Sequence, residues 1–126
     1  MTFWSKLEEF KCDGTLLLPR YFDTVLTSNA YFATMICSLL EPEDQDAVLY
    51  YLVRLGRTYR ITKNSQILIL MVAVLAHKYW QDDCYGNVTF VEWFFATRDR
   101  NALVEFHGLE IEALRLLEYD LSIKTC

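Results

Sequence analysis

Along this chain apolar residues recur every three or four positions, the spacing of one helix face. Between Ser28 and Leu40 the pattern reads SNAYFATMICSLL, and Ser28 or Asn29 opens it as a cap. A second pattern runs from Glu43 to Gly56 and carries Ala47, Tyr50, Tyr51 and Leu52. A third runs from Ser65 to Gln81, with Leu68, Met71 and Leu75 on one stripe. A fourth spans Phe90 to Ala96, and a fifth runs from Asn101 to about Glu118 with Leu103, Phe106, Leu114 and Leu117 aligned. Ile67 to Ala76 is apolar all round. Its β-branched residues would suit a strand, but the pattern continues through HKYWQ, beyond strand length, so it predicts a helix buried in mid-domain.

Polar punctuation sets the boundaries. Glu41-Pro42-Glu43-Asp44 ends one helix and starts the next, its acidic side chains suiting the positive end of the helix dipole. Gly56 reads as an end signal. Asn64 or Ser65 caps the central helix, and Asp82 to Asn87 forms a turn after it. Thr89 and Glu92 have capping-box spacing, and Asn101 caps the fifth helix. Gly108 lies inside that helix, at a cost on the order of 1 kcal/mol relative to Ala. Close packing of a neighbouring backbone would explain it. Upstream, Phe3 to Lys11 predicts a short amphipathic helix with Phe3, Leu7 and Phe10 on one side. Cys12 to Thr15 breaks it, and Pro19 opens a helical turn. With only 4 Gly and 2 Pro, the chain lacks the punctuation that many short strands need. The fold class is therefore all-α, in one domain.

Two charges interrupt the apolar stripes. Lys78 continues the Leu68–Met71–Leu75 stripe, and Glu110 stands between Phe106 and Leu114 on the other. An ammonium and a carboxylate on apolar faces are costly unless they meet each other or an outside partner. Pattern alone leaves both an internal salt bridge and a binding surface open.

Net charge is −5, so a nucleic-acid partner is not expected. Arg54, Arg57, Arg60 and Lys63 form a small cluster that reads as a solvated helix end. The four cysteines, Cys12, Cys37, Cys84 and Cys126, show no C-x-x-C or Cys/His ligand spacing. The start of the chain lacks a basic region followed by an apolar core. The expectation is reduced thiols, no metal, no cofactor and an intracellular place, nucleus or cytoplasm. The longest apolar run is too short to span a membrane. A Cys84–His107 thiol–imidazole pair lacks a third group, and Asp82, Asp83 and Asp99 read as solvated turns rather than a metal site.

Three blocks carry a family resemblance. VLYYLVRL (Val48 to Leu55), LMVAVLAHKYWQDD (Leu70 to Asp83) and GLEIEALRLLEYDLSI (Gly108 to Ile123) resemble, in order and spacing, the second-, third- and fifth-helix motifs of a cyclin box. The resemblance covers about Ser28 to Ile123 and is closest to the short, single-box, phosphate-pathway cyclins of fungi and protists. It implies a five-helix cyclin box over residues 28–126, with residues 1–27 as a short helical extension packed on it. Val53 stands where the family usually has Asp, and His77 where small residues are common. The first-helix motif of mitotic cyclins is missing, so the resemblance does not extend to substrate docking through that patch.

The resemblance also implies a role. In cyclins the matching Lys and Glu bind backbone groups at the start of the mobile αC helix of a cyclin-dependent protein kinase. Carried over, Lys78 and Glu110 would grip the kinase, with Leu75, Tyr79, Leu114, Tyr119 and Leu121 as the apolar floor. The chain would then be a non-enzymatic regulatory subunit, active as a heterodimer with the kinase. The alternative is a cyclin-fold adaptor that binds a transcription or scaffold protein without activating a kinase. A small enzyme using Cys84 and His107 is the third reading.

Overall fold

The computed structural model describes residues 3–9, 13–81 and 86–122. Among these it contains six α-helices and no strand: α1 (Phe3–Glu9), α2 (Asn29–Leu39), α3 (Pro42–Gly56), α4 (Gln66–Trp80), α5 (Asn87–Phe95) and α6 (Arg100–Leu116). A single 3-10 turn, Arg20–Asp23, follows Pro19. The all-α expectation holds, with the predicted helices in the predicted order.

α4 is the axis of the molecule. Every residue from Gln66 to His77 is buried, because a helix apolar on all sides must be covered on all sides. α2, α3, α6 and the 3-10 turn pack around it, and α5 packs on α6. Burial ends at the C-terminal turn of α4, where Lys78 is half-buried and Tyr79 and Trp80 are exposed. That change of environment lets this end of the axis reach a surface.

The helix starts follow capping chemistry. Ser28 Oγ accepts from the Tyr31 N–H at 3.3 Å. Glu41 and Asp44 form a reciprocal capping box around Pro42 at the start of α3. Asp44 is fully buried, and its carboxylate also accepts from Gln81 Nε2 at 3.1 Å and lies 3.4 Å from His77 Nδ1. His77 thus ties the end of α4 to the start of α3.

The N-terminal residues are attached by apolar and polar contacts. Phe3 and Leu7 are buried, and Trp4 meets Phe32 edge-on at 5.9 Å. Gly14 N–H donates to Gly56 O at 2.8 Å, and Arg60 N–H to Leu16 O at 2.8 Å. A Cβ on Gly14 would lie 2.3 Å from the Thr58 carbonyl carbon, so this pairing requires glycine. At the head of α4, Ser65 Oγ donates to Asp23 Oδ1 at 2.7 Å, and buried Gln66 holds Leu26 and Thr27.

Several boundaries differ from the sequence reading. α5 begins at Asn87, before Thr89, and Glu92 pairs with Arg98 at 2.7 Å rather than closing a capping box. Asp99, not Asn101, caps α6, accepting from Asn101 N–H at 3.1 Å. Gly56 is the last residue of α3 and adopts no positive φ. The left-handed positions that end helices belong instead to Ala96 (φ 52°) and Glu118 (φ 57°). At the end of α6, Tyr119 N–H donates to Leu114 O at 2.8 Å and Glu118 N–H to Arg115 O at 2.9 Å. These are the two bonds of a Schellman motif, with Glu118 where glycine is usual. Glu118→Gly should therefore stabilise the protein by about 1 kcal/mol, relieving the left-handed strain. Urea unfolding measures it, and an unchanged or lower midpoint would show that the Glu118 side chain compensates for its backbone.

Candidate functional site

The end of α4 and the middle of α6 bring the two anomalous charges together. Lys78 Nζ donates to Glu110 Oε2 at 2.7 Å. It also donates to Asn87 Oδ1 and lies 6.0 Å from the centroid of the Phe90 ring. α5 is thus the third wall. Phe90 is fully buried, stacked on Phe106 at 6.2 Å and edge-on to His77 at 6.1 Å.

The pair is unevenly exposed. The Lys78 side chain is 26% exposed and that of Glu110 11%. Glu110 Oε1 has His107 Nδ1 nearby at 3.8 Å, too far for a hydrogen bond. An ammonium has three donors, and Glu110 and Asn87 occupy two of them. One Lys78 N–H and one Glu110 oxygen make no hydrogen bond among the described residues.

The other predicted residues divide. Leu75 is buried and belongs to the core beneath Lys78. Tyr79 is 53% exposed and stands edge-on to Trp80 at 5.2 Å. Leu114 and Leu121 are half-buried against the core, while Tyr119 is 64% exposed. Leu114 and Tyr119 are joined by the Schellman motif that ends α6.

α3 holds the segment after α6, a part of the site missed at the sequence level. The Tyr51 hydroxyl donates to Leu121 O and accepts from Trp80 Nε1 at 3.0 Å. Arg54 Nη2 donates to Leu117 O. Burial raises the Tyr51 hydroxyl above its ordinary pKa, in keeping with its role as the donor to Leu121 O. Tyr51, Arg54 and Trp80 thereby fix the turn that presents Tyr119. Asn87 and Phe90 do the same for Lys78. A tyrosine or an asparagine at those positions looks like ordinary core or turn in the sequence.

The weaker constellations gain nothing. Among the described residues no group of His, Cys, Asp and Glu could hold a metal ion. Cys12, Cys84, Cys126, Asp82 and Asp83 lie outside the described residues, so the thiol–imidazole pair is not seen. Cys37 is a free thiol whose pKa burial pushes up. Among the described residues no helix is long and apolar enough to cross a membrane. A separate cleft of about 590 Å³, lined by Tyr31, Met35, His77, Gln81 and Trp93 among others, shares no residue with the predicted site.

Compared with protein-family models, with curated proteins and with solved structures, the chain finds no match.

Proposed function

We propose that this protein is a cyclin-type regulatory subunit that binds and activates a cyclin-dependent protein kinase. The observation that carries the proposal is the Lys78–Glu110 pair, closed at 2.7 Å with donor and acceptor capacity left over. It sits at the one end of α4 that leaves the core, flanked by the two sequence blocks that resemble cyclin helices. On this reading Lys78 donates to a carbonyl, and Glu110 accepts an N–H, at the start of the kinase αC helix. Holding αC inward aligns the kinase's own Lys–Glu pair with the ATP phosphates. The subunit performs no chemistry itself.

Incubation of the purified chain with a panel of recombinant cyclin-dependent kinases tests the proposal. A stoichiometric complex with raised peptide phosphorylation is expected. Stable binding without activation would overturn the activating role, whereas the adaptor reading expects a transcription or scaffold protein, not a kinase, as the partner. No binding to any kinase would remove both the kinase partner and the activating role.

A further inference from the structure

Three helices end at one cleft. Its volume of about 590 Å³ falls in the range of roughly 300–1,000 Å³ common to small-molecule sites. Leu39 closes α2, Gln81 caps the end of α4, and Phe94 stands in the last turn of α5; all three line the cleft. The last carbonyls of a helix lack internal partners, so each such end carries roughly half a negative charge. α3 brings its positive end here, but Glu41 and the buried Asp44 answer it with two carboxylates. Asp44 is held from the cleft wall by Gln81 and His77. His77 adds a positive charge only when protonated. Among the described residues no Lys or Arg lines the cleft. Its field is therefore negative.

The hydroxyls of the wall offer acceptors. Thr34 Oγ1 donates to Ala30 O at 3.0 Å, and Ser38 Oγ donates to Thr34 O at 2.8 Å. Each hydroxyl has one proton and spends it within α2, so only lone pairs are left for a ligand. Both residues line the cleft with the Glu41 carboxylate. The rest of the wall is soft and apolar. Met35 and Phe94 are half-buried, whereas Tyr31 is 58% and Trp93 47% exposed. The faces of such rings attract a cation, Trp most strongly.

We propose that this cleft binds a small protonated primary amine with an aromatic body. The ammonium supplies the donors that Glu41, Thr34 and Ser38 call for, and the ring packs on Met35, Trp93 and Phe94. An anion would meet two carboxylates and three negative helix ends. A neutral ligand would gain the apolar contacts alone. The cleft shares no residue with the Lys78–Glu110 site, so the inference does not depend on the kinase reading.

Phenethylamine and tryptamine are the probes, titrated into the purified chain and followed by NMR at the amides of Thr34, Ser38 and Gln81 and at the Trp93 indole N–H. The matching alcohols and carboxylates are the controls. Saturable one-site binding of an amine is expected, about tenfold or more tighter than its alcohol and its carboxylate. Glu41→Gln keeps a capping acceptor and removes the charge. It should weaken amine binding about tenfold and leave alcohol binding unchanged, which also reports that the cleft is still formed. Trp93→Ala, at an exposed position, should weaken amine and alcohol alike at a near-unchanged thermal midpoint. An alcohol or carboxylate that binds as tightly as the amine would overturn the proposal, as would a Glu41→Gln protein with unchanged preference for the amine. No saturation by either amine, or saturation that leaves these signals unmoved, would overturn it too.

Discussion

Replacing Gln66 with leucine is expected to destabilise the free protein by about 3 kcal/mol, the upper end of what one near-isosteric change does. Gln66 is completely buried at the first turn of α4. Its Oε1 accepts from the N–H groups of Leu26 at 2.7 Å and Thr27 at 3.2 Å. Its Nε2 donates to Thr27 O and to Asn29 Oδ1, both at 2.9 Å. Both donors and both lone pairs of the amide are therefore used. Leucine fills similar space but leaves two backbone N–H groups and one carbonyl without their partner. Each such loss costs roughly 1–3 kcal/mol when water is excluded, and less here because the segment is only partly buried. The thermal midpoint should fall by about 10 °C. Asn29→Ala, which removes one of the four bonds, should fall within about 1 kcal/mol of wild type. A Gln66→Leu protein as stable as Asn29→Ala would show that the amide does not clamp the 24–28 segment to the axis.

Gln66 also shows where sequence reading reaches its limit. In NSQILIL it looks like any polar residue in a first helical turn, and nothing local says that its amide is spent on a segment some forty positions away. Pairing at that distance depends on how the chain folds back, which periodicity does not encode. The helices themselves were legible because each buries one stripe, and α4 because it buries every side. Helix ends were less so. Gly56 reads as a stop and is an ordinary last residue, whereas Ala96 and Glu118 take left-handed turns that their side chains disfavour. Tertiary bonds from Arg54 and Tyr51 into residues 117–121 outweigh that local preference.

The candidate site divides along the same line. Lys78 and Glu110 stood out because each breaks an apolar stripe, and their 2.7 Å contact follows from α4 and α6 packing together. Leu75 fell on the same stripe and proved to be core, since a stripe does not tell a residue's depth along it. Gly108 was visible as a cost, but among the described residues nothing stands within 4 Å of where its Cβ would be, so the close packing expected there is not found.

Removing either charge of the pair should weaken kinase binding by about 2–5 kcal/mol, because the survivor would be buried in the complex without its partner. The structure adds a cost in the free protein. Glu110 is already nearly buried, and besides Lys78 the structure pairs it with the exposed His107 ring, 3.8 Å away and charged only when protonated. Lys78→Ala should therefore also destabilise the fold, by about 1–3 kcal/mol. Single variants consequently mix folding with docking, and an internal salt bridge would produce the first effect alone. A double replacement, Lys78→Leu with Glu110→Leu, separates them. It removes both charges from an apolar setting, so stability should return close to wild type. Docking should not return, since leucines offer neither a donor to a carbonyl nor an acceptor to an N–H. The expected result is a near-native midpoint with affinity reduced at least tenfold, about 1.4 kcal/mol. Calorimetric titration against the kinase, below the unfolding transition of every variant, provides the measurement. A double variant that binds as tightly as wild type would reduce Lys78 and Glu110 to an internal pair and leave the docking surface without its polar anchor.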